Sequence, residues 1–210
     1  MPYHIRAMRV EDVDEVVQIE HQSFSLAWPA SAYRREIRDN RMASYVVIER
    51  LGADNRPPEP PRAPTHDGRV RRWLEGLVSK RGELLRADQP HLVGYAGTWL
   101  MLDEAHITTI AVRPEYRGRG FGEMLMIGLI EKATEVGARW VTLEVRASNT
   151  VAQNLYRKYT FHAEGVRKGY YSDNNEDAVI MWSDDIRTPE FQTKFRALKS
   201  EFERRRLEDS

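Results

Sequence analysis

The chain has 210 residues, 41% of them hydrophobic, with 32 Lys+Arg against 32 Asp+Glu and a formal net charge of zero. That is one ordinary domain, or one domain with additions, carrying enough apolar side chains for a core. The balanced charge lacks the basic excess of a general nucleic-acid binder. The absence of cysteine excludes disulfide scaffolds, thiolate zinc sites, iron–sulfur clusters and a cysteine nucleophile. The opening MPYHIRAMRVEDVDEVV is charged and amphipathic, unlike a signal peptide, and no run approaches the roughly 18 apolar residues of a membrane span. A cytoplasmic protein is expected. His4, His21, His66, His91, His106 and His162 show no metal-ligand spacing, so no metal is expected.

In chain order, Tyr3 to Met8 reads as a strand. Val13, Val16, Val17 and Glu20 repeat at helical spacing, with Phe24 continuing the stripe. Trp28-Pro29 breaks that helix, and Ser31 to Asp39 forms a second. Ser44 to Ile48 is a strand by its β-branched and aromatic content. The stretch Asn55 to Pro64, NRPPEPPRAP, is an extended linker through which no packed element can run. After it, Val70, Trp73, Leu74, Leu77 and Val78 share a helical face inside an insertion at about 51–90. That face docks on its own core or covers a site or partner.

Patterning resumes with strands Leu92 to Met101 and His106 to Val112, joined as a hairpin around Asp103-Glu104. A helix follows on which Leu125, Leu129, Ala133 and Val136 share a face. Next comes a strand, Trp140 to Val145, on which Val141, Leu143 and Val145 oppose Thr142 and Glu144. Ser148-Asn149 signals a helix start, and Val151, Ala152, Leu155 and Tyr159 mark that helix's predicted buried face. Strands Phe161 to Val166 and Ala178 to Trp182 are joined by a polar loop carrying Tyr170 and Tyr171. Thr188-Pro189 opens a C-terminal amphipathic helix with Phe191, Phe195, Leu198 and Phe202. The hairpin requires an antiparallel pair and the strand–helix–strand unit from His106 to Val145 a parallel one, so the sheet is mixed.

Between that strand and helix lies Arg117-Gly118-Arg119-Gly120-Phe121-Gly122. Three glycines let the backbone curl close to a ligand, and the helix start offers unpaired N–H groups at its positive end. The arginines add charge, as a diphosphate site needs. The glycine spacing is not the dinucleotide-binding fingerprint, and no Gly-Lys-Ser/Thr follows as a Walker loop would require. Alone, the segment also fits a solvated turn with two surface arginines.

Taken in order, the motifs are similar to one family. Arg117-x-x-Gly120-x-Gly122 resembles the acetyl-CoA pyrophosphate loop of the GNAT acetyltransferases. Leu143-Glu144-Val145-Arg146-Ala147-Ser148-Asn149, followed by Ala152 and Leu155-Tyr156, resembles the RimI type, which acetylates ribosomal-protein N-termini. So do Asp103 to Val112, and Tyr170-Tyr171 with Glu176 to Met181. The resemblance is strong over 92–182 and weak over 3–50. It departs at the insertion, at the tail from Asp184, and at Tyr159-Thr160-Phe161, where family members carry Leu-Gly-Phe.

The resemblance implies an α/β, α+β-like GNAT fold: a mixed, mostly antiparallel sheet with a central parallel pair and helices on both faces. It implies one domain over 1–183, interrupted at about 51–90, with 184–210 as a helical extension. It implies acetyl transfer from acetyl-CoA to a protein N-terminus, with a ribosomal protein expected. A small-molecule amine acceptor, or a non-catalytic acyl-CoA-binding module, are the other readings.

On this footing Glu144 is the candidate base and Tyr156 the candidate acid, although Glu144 by itself would also pass as a solvated strand residue. Ile110, Ala111 and Val112 would offer backbone groups to pantetheine in a gap between splayed strands. Arg117, Gly118, Arg119, Gly120, Phe121 and Gly122 would hold the diphosphate. Asn149 would cap its helix and, with Tyr156, meet the cofactor. Trp28, Tyr170 and Tyr171 would line the acceptor groove. No membrane partner is expected, nucleic acid is not favoured, and the chain is read as a monomer or homodimer.

Overall fold

The computed structural model describes residues 3–51 and 91–208. The predicted proline-rich linker and the Val70–Val78 helix lie outside the described residues. Among the described residues there are seven strands: β1 (Tyr3–Ala7), β2 (Ala43–Arg50), β3 (Leu92–Met101), β4 (Glu104–Val112), β5 (Trp140–Arg146), β6 (Phe161–Tyr171) and β7 (Glu176–Ser183). With them come helices α1 (Val13–Ser23), α2 (Ala30–Asp39), α3 (Phe121–Glu135), α4 (Thr150–Lys158) and α5 (Pro189–Glu208). The strands form one sheet in the order β1-β2-β3-β4-β5-β7-β6. Every neighbouring pair is antiparallel except β4 and β5. The mixed sheet is as the hairpin and the crossover demand.

Strand alternation divides the core into two layers. Ile48, Val93, Ala96, Val141, Leu143, Val145 and Met181 face α3, α4 and α5. Val47, Leu92, Tyr95 and Ala111 face α1 and α2. Helix α3 is apolar nearly all round, with Leu125, Met126, Leu129 and Ile130 at most 1% exposed, so it runs as an interior helix rather than a surface one. Val136, expected on its buried face, is the exposed C-cap residue, because the helix has ended there.

Helix α5 begins as expected: the Thr188 hydroxyl accepts from the Phe191 N–H at 3.3 Å. Phe191, Phe195 and Phe202 are buried in the same layer as α3, with Phe195 edge-on to Tyr159. The tail is therefore covered by the domain's own core.

Two further expectations are corrected. Strands β6 and β7 pair from Phe161↔Ser183 out to Tyr171↔Glu176. Tyr170 and Tyr171 thus close a long strand instead of lying in a loop. The outer strand exposes both sides, so its sequence lacks the apolar alternation that marks a strand. On α4, Val151 is 81% exposed, and Gln153 and Tyr156 are the buried residues. The short helix rests on the sheet one residue further round than the apolar side chains suggest. Gln153 is accepted there because its amide donates to the carbonyls of Arg146 and Ala147, both at 3.0 Å.

The central feature is where β4 and β5 part. Their parallel pairing runs from Glu104↔Trp140 to Ile107↔Leu143 and stops, although β4 continues to Val112 and β5 to Arg146. A bulge contributes: β3–β4 pairing steps from Gly97↔Thr109 to Thr98↔Ile107, leaving Thr108 as the extra residue. Beyond it Ile110 and Val112 take the α3 side that Ala105 and Ile107 hold before it. Among the described residues, the backbone edge of β4 past Ile107 has no strand partner on the β5 side.

Candidate active site

Glu144 follows Leu143, the last residue of β5 paired with β4, so it stands where those two strands begin to separate. Its side chain is 9% exposed, with Oε2 3.1 Å from His106 Nε2 and Oε1 3.1 Å from Arg167 Nη1. Tyr156, on α4, is 5% exposed and packs against Phe161 with ring centroids 6.0 Å apart. Burial holds its phenol well above the ordinary tyrosine range, with the nearby Tyr171 a second cause. It stays protonated at neutral pH. Tyr171 is pushed up to about 12, first by burial and against the opposing pull of Arg146, with the Glu144 charge a further contribution. Tyr171 thus couples electrostatically to both the Glu144 carboxyl and the Tyr156 phenol.

The glycine loop follows the end of β4. Gly118 (φ +73°) and Gly120 (φ +80°) are left-handed, a conformation that favours glycine. Gly120 is the residue from which α3 starts, so the unpaired N–H groups of that helix open directly onto the loop. A side chain at Gly118 would meet nothing within 4 Å, which leaves the loop's surface open. Arg117 turns back, donating to the Val112 carbonyl at 3.1 Å and to the Ser23 hydroxyl at 3.3 Å. Arg119 lies over the Tyr116 ring. A pocket of about 700 Å³ beside the loop is lined by Arg119, Phe121, Phe202 and Arg205 among others. Neither Glu144 nor Tyr156 lines it, and it is read as the outer side of the loop. Asn149 caps α4 as expected, its side-chain oxygen accepting from the Ala152 N–H at 3.1 Å.

Trp28 and the tyrosine pair stand on different elements. Trp28, 39% exposed between α1 and α2, packs against Tyr33 and Trp99. Its backbone N–H donates to Glu20 Oε1 at 3.2 Å, and burial raises the affinity of the Glu20 carboxyl for its proton. Tyr170 and Tyr171 meet edge to face with centroids 5.2 Å apart. The α1–α2 loop reaches the β6–β7 turn through one hydrogen bond, the Ser25 hydroxyl to Asp173 at 2.7 Å. Arg146 braces that turn from β5, donating to Asp173 at 2.8 Å and Glu176 at 3.1 Å and lying 4.0 Å from the Tyr171 ring centroid. Among the described residues no group of three His, Asp or Glu is placed to hold a metal ion.

Sequence reasoning passed over His106, Thr142, Arg146 and Arg167, which surround Glu144 or its tyrosine wall. Alternation along β5 does put Thr142, Glu144 and Arg146 on one face, and that signal was available. The placing of His106 and Arg167 depends on strand register, which no local pattern carries.

Residues 48–161 match the model of the acetyltransferase (GNAT) family. Over 178 residues the chain is 38% identical to a Bacillus subtilis (strain 168) protein provisionally named a [ribosomal protein bS18]-alanine N-acetyltransferase, covering 85% of this chain and 93% of that one. Over 117 residues it is 42% identical to the Haemophilus influenzae [ribosomal protein bS18]-alanine N-acetyltransferase, covering 52% of this chain and 80% of the other. The crystal structure of the Escherichia coli ribosomal-protein-S18-alanine N-acetyltransferase superposes with a TM-score of 0.61 at 24% identity, covering 86% of this chain and 92% of that one. At that identity the structural likeness is one of fold.

Proposed function

The chain belongs to the GNAT acetyltransferase family and is an N-acetyltransferase, and from that premise we propose that it uses acetyl-CoA to acetylate the N-terminal α-amino group of a ribosomal protein beginning with alanine, of the bS18 kind. The observation that carries the reading is the parting of β4 and β5 beyond Ile107↔Leu143 with Glu144 at its edge. The relatives' names supply the acceptor.

The residues present fit the cosubstrate. The Ile110–Val112 backbone, unpaired toward β5, would hold the pantetheine amides. Arg117 to Gly122, with the first turn of α3, would hold the diphosphate. Acetyl-CoA supplies an activated acetyl thioester. Glu144 takes a proton from the acceptor's ammonium, directly or through one water; an α-amino group, with a pKa of about 7.7–8.0, gives it up readily. Tyr156 keeps its phenolic proton and donates it to the departing sulfur. Trp28 on one side and Tyr170 and Tyr171 on the other hold the acceptor's first residues.

A peptide panel varying the first two residues, assayed with acetyl-CoA for released CoA, tests this. Peptides with a free N-terminal alanine should turn over. N-terminally blocked peptides carrying an internal lysine should not. Equal turnover of the blocked peptides would overturn the α-amine assignment.

A further inference from the structure

Glu144 belongs to a row of groups that the acid–base reading leaves unexplained. In the parallel register His106 on β4 lies beside Thr142 on β5. Thr142, 2% exposed, donates its hydroxyl hydrogen to Glu104 Oε1, and its oxygen lies 2.8 Å from His106 Nδ1. A hydroxyl has one hydrogen. With that hydrogen committed to a carboxylate, which only accepts when ionised, the Thr142 oxygen must accept from His106, so Nδ1 carries the ring hydrogen. In neutral imidazole the other nitrogen is then the bare one. That nitrogen, Nε2, stands 3.1 Å from Glu144 Oε2, a pair of acceptors that becomes a hydrogen bond only when one of them carries a proton.

The charged and titratable groups around the ring are few. Glu104 on β4 lies 3.8 Å from Nδ1 and Glu144 on β5 faces Nε2. Arg167 on β6 holds the far oxygen of Glu144. On β3 the register partner is Trp99, which is uncharged and donates its indole N–H to Glu36 of α2. The His106 side chain is 22% exposed, so it can exchange protons with solvent.

Resting on the reading of Glu144 as the base, we propose that His106 is a positioning residue that acts through it, fixed by the Glu104–Thr142 pair in the tautomer whose bare Nε2 receives the proton Glu144 has taken. The balance is simple. An N–H bond of the acceptor's ammonium breaks and an O–H bond forms on Glu144, leaving the amine its lone pair. That O–H bond then breaks as an N–H bond forms on Nε2, giving imidazolium and restoring the carboxylate. The imidazolium releases its proton to water. Arg167 keeps Glu144 from rotating out of reach while this occurs.

The test measures steady-state kinetics of full-length His106→Gln, Glu144→Gln and the double variant across about pH 5 to 8, with thermal melting as a check on folding. His106→Gln should lower kcat roughly 10- to 100-fold, the scale of a mispositioned catalytic group. It should flatten the pH dependence of kcat and leave both KM values within about two-fold. In the Glu144→Gln background the same change should do almost nothing. Thr142→Val, which releases the tautomer without removing the ring, should also lower kcat and covers the case in which His106→Gln does not fold. Wild-type kcat and pH profile in His106→Gln beside a crippled Glu144→Gln would sink this inference and spare the base. An undiminished His106 effect in the Glu144→Gln background would show that His106 acts elsewhere. Wild-type turnover in Glu144→Gln would remove the base reading itself, and this inference with it.

Discussion

On the α3 side of the sheet the buried residues are nearly all apolar: Leu125, Met126, Leu129 and Ile130 meet Val141, Leu143, Met181 and the phenylalanines of α5. On the α1/α2 side Val13, Val16, Ile19 and Leu92 share the buried layer with hydroxyls and a carboxylate. The phenols of Tyr33 and Tyr95 are 3.0 Å apart, Tyr95 reaches Thr109 at 3.1 Å, and Glu20 is 4% exposed. Burying a large aliphatic side chain is worth about 1.5–3 kcal/mol, whereas a buried polar group contributes only when its partners are complete. The first side therefore supplies most of the stability. The second face carries polar side chains, Glu144, His106 and Arg146 among them. Tyr156 belongs to the apolar layer, and the nearby Tyr171 adds to the raised proton affinity of its phenol.

The largest effects that sharpen this contrast are catalytic. Glu144→Gln and Tyr156→Phe should each reduce turnover about 10²- to 10⁴-fold, the usual worth of acid–base assistance. Acetyl-CoA affinity, read by calorimetry, and melting temperature should change little. If both variants keep wild-type turnover, the chemistry does not sit at this opening.

Next comes a change confined to the apolar side. Phe195→Ala removes a ring buried against Tyr159 and should cost about 3–5 kcal/mol in denaturant unfolding. Turnover of the fraction that remains folded should stay near wild type. A fall in kcat without loss of stability would show that α5 serves the reaction rather than the core.

A smaller gain is expected at Thr160, where the family's glycine is missing. Its φ is +64°, left-handed for a β-branched residue, and its hydroxyl is buried without a protein partner. Thr160→Gly relieves both penalties and should stabilise the fold by about 1–3 kcal/mol, measured by the same unfolding assay, with kcat unchanged.

The smallest effect concerns 52–89. The Arg50 N–H donates to the His91 carbonyl at 2.9 Å, and Glu49 pairs with His91 at 2.7 Å. The chain therefore leaves and re-enters the sheet at adjacent points. Replacing 52–89 by a short glycine-containing turn should preserve CoA binding and acetylation of a minimal peptide. Loss of CoA binding in a folded deletion would place that segment in the site.

Alternation along β5, the cap at Asn149 and the start of α5 at Thr188-Pro189 could all be read from the residues, because each rests on contacts within a few positions. The glycine loop was equally legible, since left-handed φ at Gly118 and Gly120 is a local demand. The buried face of α4 was misjudged at Val151 because a helix is covered wherever its neighbours lie, and those neighbours are fixed by topology. The tyrosine pair was assigned to a loop because the length of β6 is set by its pairing with β7. His106 gave no signal. Its meaning arises only when parallel pairing sets it beside Thr142 and across from Glu144, residues 36 and 38 positions further along the chain. Composition, periodicity and local motifs determined the elements and the acetyl-transfer machinery they resemble. Tertiary structure alone decided which charged groups share a face, because strand register is a long-range choice made by the sheet as a whole.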